Sequence, residues 1–79
     1  MVKLKNLKKN ERIGECDIFP EDSSNAGHIV VDLESGELKD FSLPDGYEWC
    51  VKHAQHAGSK LVELLSEDNI PKEYLMMWV

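Results

Sequence analysis

Cys50, His53 and His56 recur at three-residue spacing, C-x-x-H-x-x-H, and with Cys16 they are the residues of this chain whose types could do chemistry. Thiolate sulfur and imidazole nitrogen are ligands that zinc prefers. Cys50 with His53 also has the composition of a nucleophile and its base. The spacing works against both readings. On a helix each three-residue step turns a side chain by about 60°, so the three groups converge only loosely, and His56 points away from the face that holds Cys50. Cys50 falls among apolar positions, where a thiol is inert, and no third orienting group or oxyanion loop accompanies the pair. Cys50, His53 and Cys16 therefore stand as metal-ligand candidates against a plain alternative of one core cysteine and two exposed histidines. Asp32 and Asp40 form a further pair of carboxylates, but acids beside a strand turn ordinarily serve solubility. There is no phosphate-cradling glycine loop. No catalytic residue is assigned, no cofactor is implied, and the chain is not read as an enzyme.

The element that must position these residues is a helix expected over Leu43–Leu65. Asp45 and Glu48 have capping-box spacing, both suit the positive end of the helix dipole, and Pro44 disfavours helix at Leu43. With a 3.6-residue period, Tyr47, Cys50, Val51, Ala54, Ala57, Gly58, Leu61, Leu64 and Leu65 share one face. A mid-helix glycine costs about 1 kcal/mol relative to alanine, so Gly58 implies close approach to a sheet. The opposite side carries Trp49, His53, His56 and Lys60 as one stripe at i,i+3 and i,i+4 spacing. A tryptophan among titratable groups on an outer face is a candidate partner-binding surface. The competing reading covers Trp49 with another part of this chain.

The rest of the chain reads mainly as strands. Residues 1–10 are either a flexible basic arm or a short strand with Val2 and Leu4 on one side. Glu11–Phe19 reads as a strand in which Gly14 marks a bulge and Pro20 a stop. Glu21–Ala26 is a polar, mobile loop. Gly27–Leu43 is a hairpin with Ser35-Gly36 as its turn. A two-residue loop would put Ile29 and Val31 opposite Ser42 and Asp40. A three-residue loop with Gly36 in a left-handed bulge position pairs Leu33 with Glu37 and Ile29 with Phe41, and puts Phe41 and Leu43 beside Ile29 and Val31, which wins on burial. His28, Val30, Asp32, Leu38, Asp40 and Ser42 then form an outer, mostly polar face. Ser66–Asn69 is a turn. Pro71–Val79 reads either as a short helix with Pro71 at its first position or as a strand buried on both faces; six consecutive apolar or aromatic residues favour the strand. The expected order is β-β-β-α-β: a two-layer α+β domain with a small, mainly antiparallel sheet and one long helix packed on one face.

Seventy-nine residues form a single small domain over 1–79. The net charge is −6 and the pI about 4.9, which argues against direct nucleic-acid binding. Residues 1–10 hold four lysines and no acid, whereas residues 11–48 hold eleven acids against Arg12 and Lys39. The acidic middle suits a basic partner. No apolar run approaches the length of a bilayer span and no signal-peptide core follows the basic start. The expectation is a cytoplasmic protein with reduced thiols, away from membranes.

Three segments carry a resemblance: GHIVVDLESGE, then LPDGYEWC, then the histidine-bearing helix. From Gly27 to His56 the chain resembles a family of small uncharacterised bacterial proteins. The resemblance implies a bacterial cytosolic origin and a self-contained domain, and carries over no catalytic residue or ligand. The leading functional expectation is a small acidic module that binds another protein. The alternatives are a metal- or thiol-dependent site at Cys50 and His53, and an acidic decoy for a nucleic-acid-binding protein.

Overall fold

Val2 and Leu4 alternate with Lys3 and Lys5, and Gly14, Cys16, Ile18 and Pro20 alternate with Ile13, Glu15, Asp17 and Phe19; these two stretches form the centre of the sheet. The computed structural model describes residues 1–67 and 69–77. Strands β1 (Val2–Asn10), β2 (Ile13–Pro20), β3 (Gly27–Asp32) and β4 (Leu38–Ser42) precede helix α1 (Val51–Leu65), and β5 (Glu73–Met76) follows it. The sheet order is β4-β3-β2-β1-β5 and every neighbouring pair is antiparallel. The helix packs on one face, giving a two-layer α+β fold. Val2, Leu4, Cys16, Ile18, Ile29 and Val31 from the sheet meet Ala54, Ala57, Leu61 and Leu65 from the helix in one buried cluster.

Residues 2–10 are a full strand rather than an arm, which adds one strand to the expected order. The alternation that marks it lasts only as far as Lys5. An extra residue then intervenes between the Lys5–Asp17 and Lys8–Glu15 pairs, with Asn6 at φ 57°. The bulge therefore lies here and not at Gly14. Gly14 instead sits on the core face, where a Cβ would collide with Leu65 Cδ1. With β1 in place, its far edge is where the last strand docks. β5 runs in the same direction as β4, as a helical crossover allows, but at the opposite edge of the sheet and antiparallel to β1. It is covered on one side only: Tyr74 and Met76 pack on the core, while Leu75 and Met77 are exposed. Trp78 and Val79, also assigned to this strand from sequence, lie outside the described residues.

In the hairpin, Ile29 pairs with Phe41 and Gly36 takes φ 77°. The pairing shifts between Val30 and Val31, so that Val31 faces Leu38 and Asp32 N–H donates to Glu37 O; Glu37 is not the partner of Leu33, whose N–H donates to Arg12 O instead. The shift turns Leu38 from the expected outer face onto the core, where its Cδ1 would be 3.3 Å from a Cβ at Gly58. Phe41 lies on the edge strand and stays 39 % exposed.

The helix begins at Val51, not in the Leu43–Asp45 region. Gly46 at φ 86° cannot continue a right-handed helix. Tight turns take the chain through this stretch instead, with Tyr47 N–H donating to Pro44 O and Cys50 N–H to Tyr47 O. Cys50 occupies the N-cap without a side-chain cap, so the Asp45/Glu48 capping box is not used. Val51, expected on the apolar face, is 39 % exposed.

The helix-free face of the sheet is ruled by sign. Lys3, Lys5 and Lys8 project from β1, Glu15 and Asp17 from β2, His28 and Val30 from β3, Asp40 from β4 and Glu73 from β5, as their register partners require. Asp17 is the hub. Its Oδ2 accepts from Asn6 Nδ2 at 2.8 Å and its Oδ1 lies 2.9 Å from His28 Nδ1. The Asn6 hydrogen bond first, then His28, hold the Asp17 carboxyl below its ordinary value. A carboxylate with a depressed folded pKa contributes stability that is complete above its unfolded value, about 3.9, and is lost as pH falls through the folded one. Asp17→Asn should therefore flatten the loss of stability between about pH 5 and pH 2. Urea denaturation across that range checks this; an unchanged acid limb would remove Asp17 as its source.

Candidate interaction site

The turn that precedes α1 brings its aromatic residues to one corner of the molecule. Trp49 is 65 % exposed. Its Nε1–H donates to Gly46 O at 3.2 Å, Tyr47 stacks against it at 6.3 Å between ring centroids, and the His53 ring meets it edge-on at 5.6 Å. The indole is thus presented to solvent yet held in one orientation by its own turn. Asp45, Glu48 and Val51, near neighbours of Trp49 along the chain, are exposed.

The corner is tied to the loop after β2. Tyr47 O–H donates to Asp22 Oδ1 at 2.7 Å, and His53 Nε2 lies 2.6 Å from Glu21 Oε1. The acceptor is a carboxylate, so Nε2 carries the proton. The hydrogen bond from His53, then the α-ammonium of Met1 at 3.3 Å, lower the Glu21 pKa. The bond to Asp22 raises that of Tyr47. Within the loop 21–26, expected from its composition to be mobile, Glu21 and Asp22 are therefore anchored. Two side chains of the pre-helix turn and helix clamp its first two residues, and Ser23 Oγ bonds Asn25 within it.

The four residues of the expected stripe do not share one open surface. Trp49 and His56 are exposed. His53 turns inward to Glu21, with 12 % of its side chain accessible. Lys60 reaches the other way: its Nζ donates to Glu63 Oε2 at 3.2 Å and sits 5.2 Å from the centre of the Tyr74 ring on β5. Sequence periodicity places residues around a helix axis but not where long side chains swing. The parts that periodicity missed are Tyr47, assigned to the core face, and Glu21 and Asp22, assigned to a mobile loop.

Thiol chemistry finds little footing. Cys16 is fully buried and burial, aided by Asp17 and Glu15, pushes its pKa to about 12. Cys50 is also fully buried, and burial followed by the nearby Glu21 charge raises its pKa. Such thiols hold almost no thiolate at neutral pH. Among the described residues, no three His, Cys, Asp or Glu side chains converge to hold a metal ion; Cys16 projects from β2 into the core and Cys50 caps the helix. A cavity of about 300 Å³ lies at the other end of α1, floored by Leu33, Val62 and Leu65. Its cations are already engaged, Lys9 Nζ with Leu65 O at 3.2 Å and Arg12 with Glu34 at 2.9 Å.

No described helix is long and apolar enough to cross a membrane. Comparison of the chain with protein-family models, with curated proteins and with solved structures returns no match.

Proposed function

We propose that this protein is a small interaction module that docks onto another protein through the corner centred on Trp49. One observation carries the reading: a tryptophan 65 % exposed and at the same time fixed by a hydrogen bond and two ring contacts. Exposing an indole to water is unfavourable, and tryptophans are over-represented among residues that dominate binding energy. An indole already held in place also loses little rotamer entropy when it is buried by a partner. The rim of Asp45 and Glu48 matches a pocket bordered by basic groups, in keeping with the net charge of −6.

The site at Cys50 and His53 is a poorer reading, because both thiols are buried and His53 is committed to Glu21. The decoy reading is also weaker, because the sheet's open face interleaves its acids with Lys3, Lys5 and Lys8 and offers no unbroken acidic surface.

Trp49→Ala should leave the melting temperature within a few degrees of wild type, since a surface substitution usually costs less than about 0.5 kcal/mol. It should weaken capture of the partner by tenfold or more, because hot-spot truncations cost about 2 kcal/mol or more. Immobilised wild type, Trp49→Ala and a distant surface variant, Lys72→Ala, are compared for the proteins they retain at stoichiometric yield. Equal retention by all three, or unfolding of Trp49→Ala, would refute the assignment.

A further inference from the structure

The open sheet face carries a second recognition property, independent of Trp49: its charges are complementary to themselves. Three register rows cross it. In the first, Leu75, Lys3 and Phe19 stand side by side on β5, β1 and β2. In the second, Glu73, Lys5, Asp17 and His28 stand in line on β5, β1, β2 and β3. In the third, Lys8, Glu15 and Val30 follow. A two-fold axis in the plane of contact, parallel to the strands and midway between β1 and β2, exchanges β1 of one copy with β2 of the other. It likewise exchanges β5 with β3. The charged rows beside the axis then meet their opposites, Lys5 facing Asp17 and Lys8 facing Glu15, while Glu73 faces the His28 ring and Lys3 faces the Phe19 ring. Each contact occurs twice, as two-fold symmetry demands. The last repeats chemistry already present within one copy, where Lys5 Nζ lies 5.3 Å from the Phe19 ring centre. Lys3, Lys8 and Glu73 make no ion pair with any described residue, so these charges are available to a partner.

We propose that this face is a self-association surface on which two copies of the chain pack sheet to sheet, with the lysines of β1 in each copy set against the acids of β2 in the other. Face-to-face sheets pack with strands aligned to within about 30°, which an axis along the strands provides. Sheet twist lifts the corners apart, so the contact concentrates on the rows beside the axis, those of Lys5, Lys8, Glu15 and Asp17. Area sets the strength. The four strands that overlap, β5, β1, β2 and β3, at about 4.8 Å spacing make a contact roughly 20 Å wide, and its rows extend roughly 20 Å along the strands. Two such faces bury on the order of 800 Å², at the low end of weak, transient interfaces. Exposed ion pairs are screened by salt. The expected dimer forms at high micromolar concentration and dissociates as salt is raised.

Charge reversal on both sides of one contact tests this. Lys8→Glu makes every row-three contact acid against acid, and Glu15→Lys makes it base against base. Sedimentation equilibrium at low salt should find self-association about tenfold weaker in each variant than in wild type, two lost ion-pair contacts and two new repulsions being worth at least that factor. Mixing the two variants should restore association, as a heterodimer in which the row-three acids of one chain meet the row-three lysines of the other. Within one chain the Lys8–Glu15 cross-strand pair is spoiled in both variants and mixing cannot repair it, so rescue reports contact between copies only. Circular dichroism of each variant serves as the control for folding. A wild type that stays monomeric at millimolar concentration and low salt, a mixture that associates no better than its components, or variants that associate like wild type would each overturn the proposal; the last would place self-association elsewhere. None of these results bears on the Trp49 surface, which Lys8 and Glu15 do not adjoin.

Discussion

Leu61→Ala is expected to lower stability by about 2–5 kcal/mol, the range for truncating a fully buried leucine. Leu61 has no accessible surface and lies in the cluster that joins the helix to β1, β2 and β3. Ala54, Ala57 and Gly58 precede it on the same face, so the upper half of the helix touches the sheet through small side chains. The bulk that holds α1 down is concentrated in Leu61, Leu64 and Leu65. Val2, Ile18, Ile29 and Val31 of the same cluster are β-branched and stiff at χ1, which limits how far the space can close. A domain of this size has only a modest margin to lose. The melting temperature should fall by more than about 10 °C. Thermal denaturation followed by circular dichroism checks this, and a fall of only two or three degrees would mean that the helix is anchored by something other than this face.

Gly27→Ala is expected to be nearly as damaging, for a different reason. Gly27 opens β3 on the core face, and a Cβ there would stand on the carbonyl oxygen of Ser42 in β4, with Pro44 Cδ at 3.2 Å and Ile18 Cγ1 at 3.3 Å behind it. A flexible side chain can turn away from an added methyl group, but a backbone oxygen can move only with its strand. The adjacent His28–Ser42 pair must therefore open, and with it the exit of the chain towards Pro44 and the turn that presents Trp49. Overpacking costs about 1–3 kcal/mol, and the upper end applies where the backbone itself must yield. Urea denaturation should show a lower midpoint, and amide exchange should rise first in β4. An alanine variant as stable as wild type, with β4 equally protected, would contradict the close approach.

The parts of this fold that follow from local rules were legible in the sequence. The burial of Ile29 anticipated its pairing with Phe41, although the turn itself closes on Asp32 and Glu37 and a register shift intervenes, and the 3.6-residue period from Ala54 to Leu65 set the buried side of the helix. What local rules missed depends on single residues that interrupt a period. The extra residue near Asn6 hides β1 after Lys5, the shift after Val30 moves Leu38 to the core, and Gly46 at φ 86° delays the helix to Val51 although Asp45 and Glu48 have capping spacing. The candidate site was half legible. Trp49 stood out by its type, but its supports are tertiary: the Tyr47–Asp22 and His53–Glu21 bonds exist because the end of β2 lies against the start of the helix. The Asp17–His28 contact likewise requires the register of β2 and β3, which no spacing along the chain reveals.

The most direct measurement is tryptophan emission from Trp78→Phe protein, in which the indole signal belongs to Trp49 alone. Acrylamide quenching is followed before and after adding the partner retained by wild type, with circular dichroism showing that the protein is folded. The expected result is red-shifted, readily quenched emission from the isolated protein, and a blue shift with quenching reduced several-fold once the partner binds. An indole already shielded in the isolated protein, or one whose emission and quenching do not change as the complex forms, would contradict a contact surface centred on Trp49.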